Sequence, residues 1–179
     1  MQTITEFDFK ILDFIREKFS CGFLDAVMPV ITLFGSAGLI WITVAAALIF
    51  FRKYRRDGVM LLIGISICAI LGNLLLKNIV ARSRPCHINE TINMLIAIPK
   101  DYSFPSGHTY TSVAAAVILF HADKRLGIPA VVVAVLIAFS RLYLYVHFPS
   151  DVLAGAVIGC VIGLAVCVVG ERLKSSKNQ

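Results

Sequence analysis

Long uncharged stretches dominate the pattern of apolar and polar residues along this chain. Residues 58–76 and 152–170 contain no charged side chain, and each stretch is 19 residues long. A helix of that length extends roughly 28 Å at about 1.5 Å per residue, close to the thickness of the hydrocarbon core of a bilayer. Because lipid offers no hydrogen-bond partner to an open backbone, the pattern predicts an all-α, polytopic membrane helical bundle.

The apolar segments together predict six transmembrane helices. Four spans are predicted over residues 58–77, 108–122, 127–147 and 151–170. Residues 22–51 are ambiguous, because one helix of that length would extend roughly 45 Å, too far for one upright span. The sequence GSAG at 35–38 offers a break. Two shorter helices on either side of this break complete the six, and a single span over 22–51 remains the alternative.

Charged and apolar residues alternate with a helical period near the start of the chain. The apolar positions are Ile4, Phe7, Ile11, Phe14, Ile15 and Phe19. An apolar face between charges predicts an amphipathic helix at the membrane interface within residues 1–21. The membrane domain is then expected to cover residues 22–172, followed by a cytoplasmic tail over residues 173–179.

Composition and charge add an orientation to this pattern. The chain of 179 residues is 58% hydrophobic and has a net charge of +6. Its basic residues gather in three short segments, 52–56, 123–125 and 171–177. Because short loops rich in Lys and Arg remain in the cytoplasm, the polar segments between them are predicted to lie outside, with both termini inside. A bundle with so little loop mass is expected in a bacterial inner (plasma) membrane.

Several ionisable residues lie on the predicted outer side, where basic residues are otherwise expected to be rare. Arg82 and Lys100 are interpreted as interfacial residues that extend their charged ends to water. The others lie in or beside apolar runs and are Lys77, Arg84, His108, Arg141, His147 and Asp151. Such groups usually face a protein interior or a water-filled cavity, so we expect them to meet at one membrane face.

Two segments predict a site for phosphate oxygens. Lys77 and Arg84 are seven residues apart, so a continuing helix that Pro85 ends would place both on one face. A point charge and a planar fork together suit phosphate. Ser106 is expected to cap the helix that follows it, and Gly107 permits close approach of the backbone to an anion at that helix N-terminus.

Two histidines supply candidate proton-transfer and nucleophilic groups. His108 follows the predicted anion site and is placed to donate a proton to a leaving oxygen. His147 is expected to end one span and Asp151 to lie in the first turn of the next, with Pro149 between them. An Asp that accepts from one ring nitrogen leaves the other free as an acceptor or nucleophile, and a purely structural hydrogen bond is the alternative for this pair.

The three segments resemble the signature of a known family. They read KNIVARSRP over 77–85, PSGH over 105–108 and SRLYLYVHFPSD over 140–151. Their residues and spacings are similar to those of the type 2 phosphatidic acid phosphatase superfamily, which includes membrane lipid phosphatases and vanadium haloperoxidases. By layout, the resemblance extends over residues 25–170.

The resemblance implies a role for each matching residue. His147 would be the nucleophile that becomes a phosphohistidine, Asp151 would orient it, and His108 would protonate the leaving oxygen and then activate water. The phosphate oxygens would be held by Lys77, Arg84, Ser106, Gly107 and Arg141. No cofactor and no metal are expected, since side-chain cations and backbone amides can stabilise the transition-state charge.

Two other functions remain open at this point. A transporter with a polar cavity would hold its charges near mid-span, whereas these gather at one face. A haloperoxidase that binds vanadate needs the same anion site, but the small membrane architecture favours a lipid phosphate as substrate. Phosphatidylglycerol phosphate, undecaprenyl diphosphate and phosphatidic acid all fit, and the sequence leaves this choice and the oligomeric state open. It predicts the bilayer as a second partner and no nucleic-acid partner.

Overall fold

A computed structural model describes residues 2–177, except for the side chains of residues 2, 3, 37, 73 and 177. The described residues form helices and connecting segments and contain no strand, as the apolar pattern predicts. The helices are α1 (Gln2–Phe19), α2 (Gly22–Gly35), α3 (Leu39–Phe50), α4 (Arg55–Cys68), α5 (Lys77–Val80), α6 (Pro85–Ile88), α7 (Gly107–Ala122), α8 (Lys124–Tyr143) and α9 (Pro149–Lys177). A 3₁₀ turn, Ser36–Gly38, joins α2 to α3, and wider π-type turns, Ala69–Leu76, connect α4 to α5.

Helix α7 lies at the centre of the bundle and packs against α4, α8 and α9. Its contact with α9 is made through glycines at four-residue spacing, Gly155, Gly159 and Gly163. A Cβ atom on Gly159 would lie 2.4 Å from the carbonyl oxygen of Tyr110, so the two backbones approach this closely only because no side chain lies between them. The first turns of α7 and α9 are thereby held side by side.

Residues 22–51 form a bent pair of helices rather than two separate spans. Helices α2 and α3 meet at 51° around Ser36–Gly38, where Gly38 has φ = 70°. The predicted break is present, but α2 and α3, with 14 and 12 residues, extend only about 20 Å each. Among the described residues, three helices are long and apolar enough to cross a membrane, and the bent pair gives a fourth. The prediction of six spans is not confirmed.

The helices run between two ends of the bundle. At one end, Tyr54 OH donates a hydrogen bond to Asp123 Oδ2 at 2.8 Å, and Arg56 Nη2 lies 3.4 Å from a Cβ position on Gly170. The three basic segments therefore lie together, and we call this the basic end. Helix α7, although only 16 residues long, connects the basic end to the opposite end. The predicted site residues lie at that opposite end, which we call the site end.

Helix α1 covers most of residues 1–21, and its amphipathic character at a membrane interface stays a prediction. Leu12 and Ile15 are buried against the bundle, whereas Phe7 and Phe14 are 65% and 55% exposed. Exposed apolar side chains beside a charged face are typical of a helix that lies in a membrane interface.

Helix α1 lies at the site end, far from the last turns of α9. Its Asp8 accepts hydrogen bonds from Arg82 at 2.8 Å and from the backbone N–H of Ser150 at 3.0 Å. The helices nearest the two termini therefore lie at opposite ends of the bundle, and the prediction that both termini share one side is wrong. The reason is that residues 22–51 cross the bundle once, as a bent pair, and not twice.

Candidate active site

Lys77 and Arg84 meet at the site end, although they do not lie on one helix. Helix α5 ends at Val80, because Ala81 adopts a left-handed conformation with φ = 48°. Arg84 then adopts an extended conformation, with φ = −80° and ψ = 155°, directly before Pro85. The prediction of a continuing helix is wrong, yet the two side chains converge on one carboxylate.

That carboxylate is Asp101, in the loop before α7. Arg84 Nη2 donates to Asp101 Oδ1 at 2.7 Å, and the Lys77 ammonium pairs with Oδ2. Burial alone would raise the pKa of Asp101, but the hydrogen bonds and positive charges of Lys77 and Arg84 outweigh burial and lower this pKa from 3.8 to about 2. Asp101 is therefore ionised and holds the two cations that are predicted to bind phosphate.

Helix α7 begins within the PSGH motif. Ser106 is its N-cap residue, but the predicted side-chain cap is absent, and Ser106 Oγ accepts a hydrogen bond from Thr109 Oγ1 at 2.9 Å. The backbone N–H of Ser106 donates to the carbonyl oxygen of Asp151 at 3.1 Å, which joins the start of α7 to the start of α9. Gly107 and His108 lie in the first turn, where backbone N–H groups have no intrahelical acceptor and can bind an anion.

Three buried polar atoms in this region have no hydrogen-bond partner among the described residues. They are His108 Nε2, His147 Nδ1 and Arg141 Nε. Helix α2 closes the site beside one of them, since a Cβ atom on Gly35 would lie 2.7 Å from His108 Cδ2. An unpaired buried polar group costs about 1–3 kcal/mol, so three at one end of the bundle indicate a site that a polar ligand completes.

Asp151 lies at the start of the next helix, α9, as predicted, but His147 does not end a span, because α8 ends at Tyr143. His147 is in the turn before Pro149, and Asp151 is in the first turn of the helix. The His147 Nδ1 to Asp151 Oδ2 distance is 3.7 Å, longer than a hydrogen bond. Asp151 Oδ2 accepts instead from the backbone N–H of Phe148 at 2.9 Å and from the hydroxyl of Ser103.

Arg84 determines which nitrogen of His147 carries the proton. Its Nη1 lies 3.1 Å from His147 Nε2. A guanidinium has only donors, so Nε2 accepts and the ring proton is assigned to Nδ1, on the side of Asp151. Burial and the positive charges of Arg84 and Arg141 hold the pKa of His147 well below its ordinary value. The imidazole is therefore neutral, with a lone pair on Nε2.

Arg141 joins the site from the last turn of α8. It is 4% exposed, and its Nη1 donates to Thr32 Oγ1 on α2. Its backbone carbonyl accepts from the N–H of Val146 at 3.2 Å, which closes the turn that carries His147. The predicted residues of all three motifs thus lie at one end of the bundle.

Arg82 also belongs to the site, contrary to the prediction. Its side chain is 14% exposed and forms ion pairs with Asp8 at 2.8 Å and with Asp151 at 2.6 Å. The interfacial interpretation is wrong for Arg82, because buried carboxylates and not water accept its hydrogen bonds. Lys100 is exposed, as that interpretation requires.

Four polar residues of the site are not predicted from the sequence: Asp8, Thr32, Asp101 and Ser103. Asp101 carries a signal, since it is an acid in an outer segment five residues before Ser106. The others are ordinary helix or loop residues in the sequence. Among the described residues, no group of three or more His, Cys, Asp or Glu side chains could hold a metal ion.

Comparison with known proteins identifies the family. The fold resembles the crystal structure of a transmembrane phosphatidylglycerolphosphate phosphatase from Bacillus subtilis, with a TM-score of 0.80 and 29% identity, over 96% of this chain and 88% of that chain. A family model for the PAP2 superfamily matches residues 57–174. The chain belongs to the PAP2 superfamily. This is the family that the three motifs resemble.

Curated proteins related to this PAP2 chain are named as phosphatases. An undecaprenyl-diphosphatase from Sulfolobus acidocaldarius is 35% identical over 137 residues, or 76% of this chain and 66% of that protein. A phosphatidylglycerophosphatase B from Bacillus subtilis is 31% identical over 170 residues, or 87% of this chain and 80% of that protein. The chain thus spans slightly less than two thirds of the Sulfolobus protein.

The PAP2 match includes all three motifs but begins after α3. Asp101 and Arg82 therefore lie within the matched part of the chain. Asp8 on α1 and Thr32 on α2 reach the site from outside the matched part.

Proposed function

We propose that this PAP2 protein is an integral membrane lipid phosphatase that hydrolyses a phosphomonoester or diphosphate lipid through a phosphohistidine intermediate. The observation that supports this most directly is the neutral, buried His147 beside three cations, Lys77, Arg84 and Arg141. Phosphate oxygens are strong acceptors for such donors. The unpaired His108 Nε2 supplies a group for proton transfer at the same site.

In the first step, His147 Nε2 attacks phosphorus, and the bond from phosphorus to the leaving oxygen breaks. Arg84 turns its N–H from Nε2 to a phosphate oxygen. The proton on Nδ1 stays on the ring, and the Asp151 carboxylate stabilises the positive imidazole. His108 enters this step as an imidazolium and gives one ring proton to the leaving oxygen, which leaves His108 neutral, so that the lipid departs as an alcohol or a protonated phosphate.

In the second step, a water molecule attacks the phosphohistidine. His108 takes a proton from that water, and His147 Nε2 leaves phosphorus with the bonding electron pair. Inorganic phosphate is released and both histidines return to their starting protonation states. The cations and the first-turn N–H groups of α7 stabilise the charge that develops on the phosphoryl oxygens in both steps.

The substrates that we propose are phosphatidylglycerol phosphate, undecaprenyl diphosphate and phosphatidic acid, presented at the extracytoplasmic face of a bacterial inner (plasma) membrane. The gathering of the three basic segments at the opposite end supports this orientation. The position of α1 at the site end, with exposed Phe7 and Phe14, supports a site at the level of the lipid headgroups.

The two histidine roles are tested with leaving groups of different basicity. His147→Ala removes the nucleophile, so neither a lipid phosphate nor an activated aryl phosphate should give a burst of leaving group. His108→Ala keeps the nucleophile, and an aryl leaving group that needs little protonation should recover most of the about 10² to 10⁴-fold that general acid catalysis supplies. The measurement is rapid-mixing kinetics of purified protein in detergent.

A burst from His147→Ala with none from His108→Ala would reverse the assigned roles. Release of phosphate from none of the three lipids by the unaltered protein would contradict the phosphatase proposal. Parallel assays of the three lipids at matched micelle concentration also rank the substrates.

A further inference from the structure

We propose that Asp8 and Arg82 are positioning residues that hold Asp151 in place beside His147, so that the interfacial helix α1 contributes to the reaction. This inference rests on the proposed phosphatase function of the site. Neither residue is placed to touch the reacting atoms: Arg82 contacts Asp151, and Asp8 contacts Arg82.

Both ends of the Arg82 guanidinium are bonded. Nη1 donates to Asp151 Oδ1 at 2.6 Å and to Ser150 Oγ at 2.7 Å, and Nη2 donates to Asp8 Oδ2 at 2.8 Å. Asp8 in turn accepts from the backbone N–H and the hydroxyl of Ser150, at 3.0 and 2.5 Å. The ring of Phe148 covers the guanidinium, with its centroid 4.0 Å from Arg82 Cζ. Arg82 is therefore fixed in one position.

This network is almost fully removed from water. The side chains of Asp8, Arg82 and Asp151 are 3%, 14% and 0% exposed. Loss of one partner from such a group leaves an uncompensated buried charge. Arg82 bonds Oδ1 of Asp151, while Oδ2 accepts from the Phe148 N–H and the Ser103 hydroxyl and lies 3.7 Å from His147 Nδ1. Without Arg82, the carboxylate loses the hydrogen bond and the positive charge that hold its Oδ1 side and keeps the two hydrogen bonds to Oδ2.

Helix α1 brings Asp8 to this network from the membrane surface. Leu12 is fully buried one turn after Asp8 and packs with Tyr145 and Phe148, on either side of His147. The exposed Phe7 next to Asp8 faces away from the bundle. A residue of the interfacial helix is thus part of the support of a proposed catalytic carboxylate, from outside the part of the chain that the PAP2 family model matches.

The test compares Arg82→Gln, Asp8→Asn and the double variant with the unaltered protein. Misplacement of a catalytic group by about 1 Å can cost about 10²-fold, so we expect Arg82→Gln to lower kcat about 10²-fold, with a smaller change in KM. Asp8→Asn should lower kcat less. The double variant, which restores the charge balance, should be faster than Arg82→Gln alone, because the two residues act as one unit.

The pH dependence separates positioning from a general loss of structure. Other charged or titratable groups that face His147 and Asp151 stay unchanged in these variants: Lys77, Arg84, Asp101, His108 and Arg141. Arg82→Gln removes a positive charge from the carboxylate beside His147, so His147 should protonate at a higher pH. Asp8→Asn removes a negative charge and should shift the protonation of His147 to a lower pH.

Two readouts follow this shift: the acid limb of kcat/KM, and the NMR signals of ¹⁵N-labelled His147, assigned with His147→Gln. Glu6→Gln is the matched control, since it removes an exposed carboxylate from the same helix. If Arg82→Gln does not fold, Arg82→Lys is used instead. It keeps the positive charge but lacks the guanidinium fork, so it should lower kcat without moving the acid limb of the kcat/KM profile. The inference would be overturned if Arg82→Gln released phosphate at the rate of the unaltered protein, or if neither Arg82→Gln nor Asp8→Asn shifted the His147 NMR signals. If the variants show the expected NMR shifts but the unaltered protein releases no phosphate, the result would support the inference and contradict the proposed phosphatase function.

Discussion

Asp101 pairs with Lys77 and Arg84, the two cations that are also proposed to bind the phosphoryl group of a substrate. Asp101→Asn keeps the size of the side chain and the backbone contact with Arg84 but removes the negative charge. Four cations, Lys77, Arg82, Arg84 and Arg141, then face two carboxylates, a surplus that matches a phosphate dianion. Since phosphate no longer has to displace a carboxylate, KM for a lipid phosphate should fall.

The size of this effect follows from the pKa of Asp101. A fall from 3.8 to about 2 corresponds to about 2.5 kcal/mol of favourable interaction with the charged form. The side chain is 53% exposed, and screening by water reduces this to about 1 kcal/mol. KM is therefore expected to fall about fivefold. Because folding lowers this pKa, the pairing is present above pH 3.8 and is lost as the pH falls through about 2, so the effect should be constant from about pH 5 to about pH 8.

The assay is release of inorganic phosphate from lipid in detergent micelles, with the inhibition constant of orthovanadate as a measure of binding that does not depend on turnover. Glu90→Gln serves as the control, because it removes one exposed negative charge from the same loop. KM for the lipid phosphate and the inhibition constant of orthovanadate should both fall for Asp101→Asn and stay unchanged for Glu90→Gln. An increase in both for Asp101→Asn would refute the reasoning, since the carboxylate would then be holding the two cations in place for the substrate.

Three further outcomes are expected. Turnover should persist in EDTA, because side chains supply the cations, and a loss of activity that Mg²⁺ restores would contradict the histidine mechanism. Millimolar orthovanadate should inhibit the protein, since it resembles the transferring phosphoryl group, and full activity in its presence would count against the anion site. With Cys21 replaced by serine, Tyr102→Cys should react with impermeant thiol reagents on intact cells and Arg125→Cys should not, whereas the reverse pattern would invert the proposed orientation. Gly159→Ala should lower stability in detergent by about 1–3 kcal/mol. Gly22→Ala is the control, since no atom lies within 4 Å of its Cβ position, and it should leave the thermal midpoint unchanged. Equal midpoints for the two variants would contradict the close contact of α7 with α9.

The sequence predicts the later helices well and their ends less well. The predicted span 108–122 agrees closely with α7, because charges and Pro105 mark its limits. The predicted span 127–147 extends past the end of α8 at Tyr143. The following Leu144, Tyr145 and Val146 are apolar and fully packed, so hydropathy does not distinguish this turn from a helix.

The site is predictable where neighbouring residues act together. PSGH and the His147 to Asp151 spacing each describe one local turn, so their arrangement follows from sequence. The contacts of Asp8 with Arg82 and of Thr32 with Arg141 join residues 74 and 109 positions apart. Such contacts depend on how the helices pack, and nothing in the local pattern around Asp8 or Thr32 indicates them.

The opposite positions of α1 and the last turns of α9 affect how the protein can be handled. An affinity tag ahead of Gln2 would sit on the proposed catalytic face, close to the Asp8 network, where its bulk could disturb substrate entry. A fluorescent or purification tag after α9 would project from the other face, about a membrane thickness away. With the orientation proposed above, fusions ahead of α1 and after α9 are expected to lie in two different compartments, and the fusion after α9 is expected to leave the chemistry untouched.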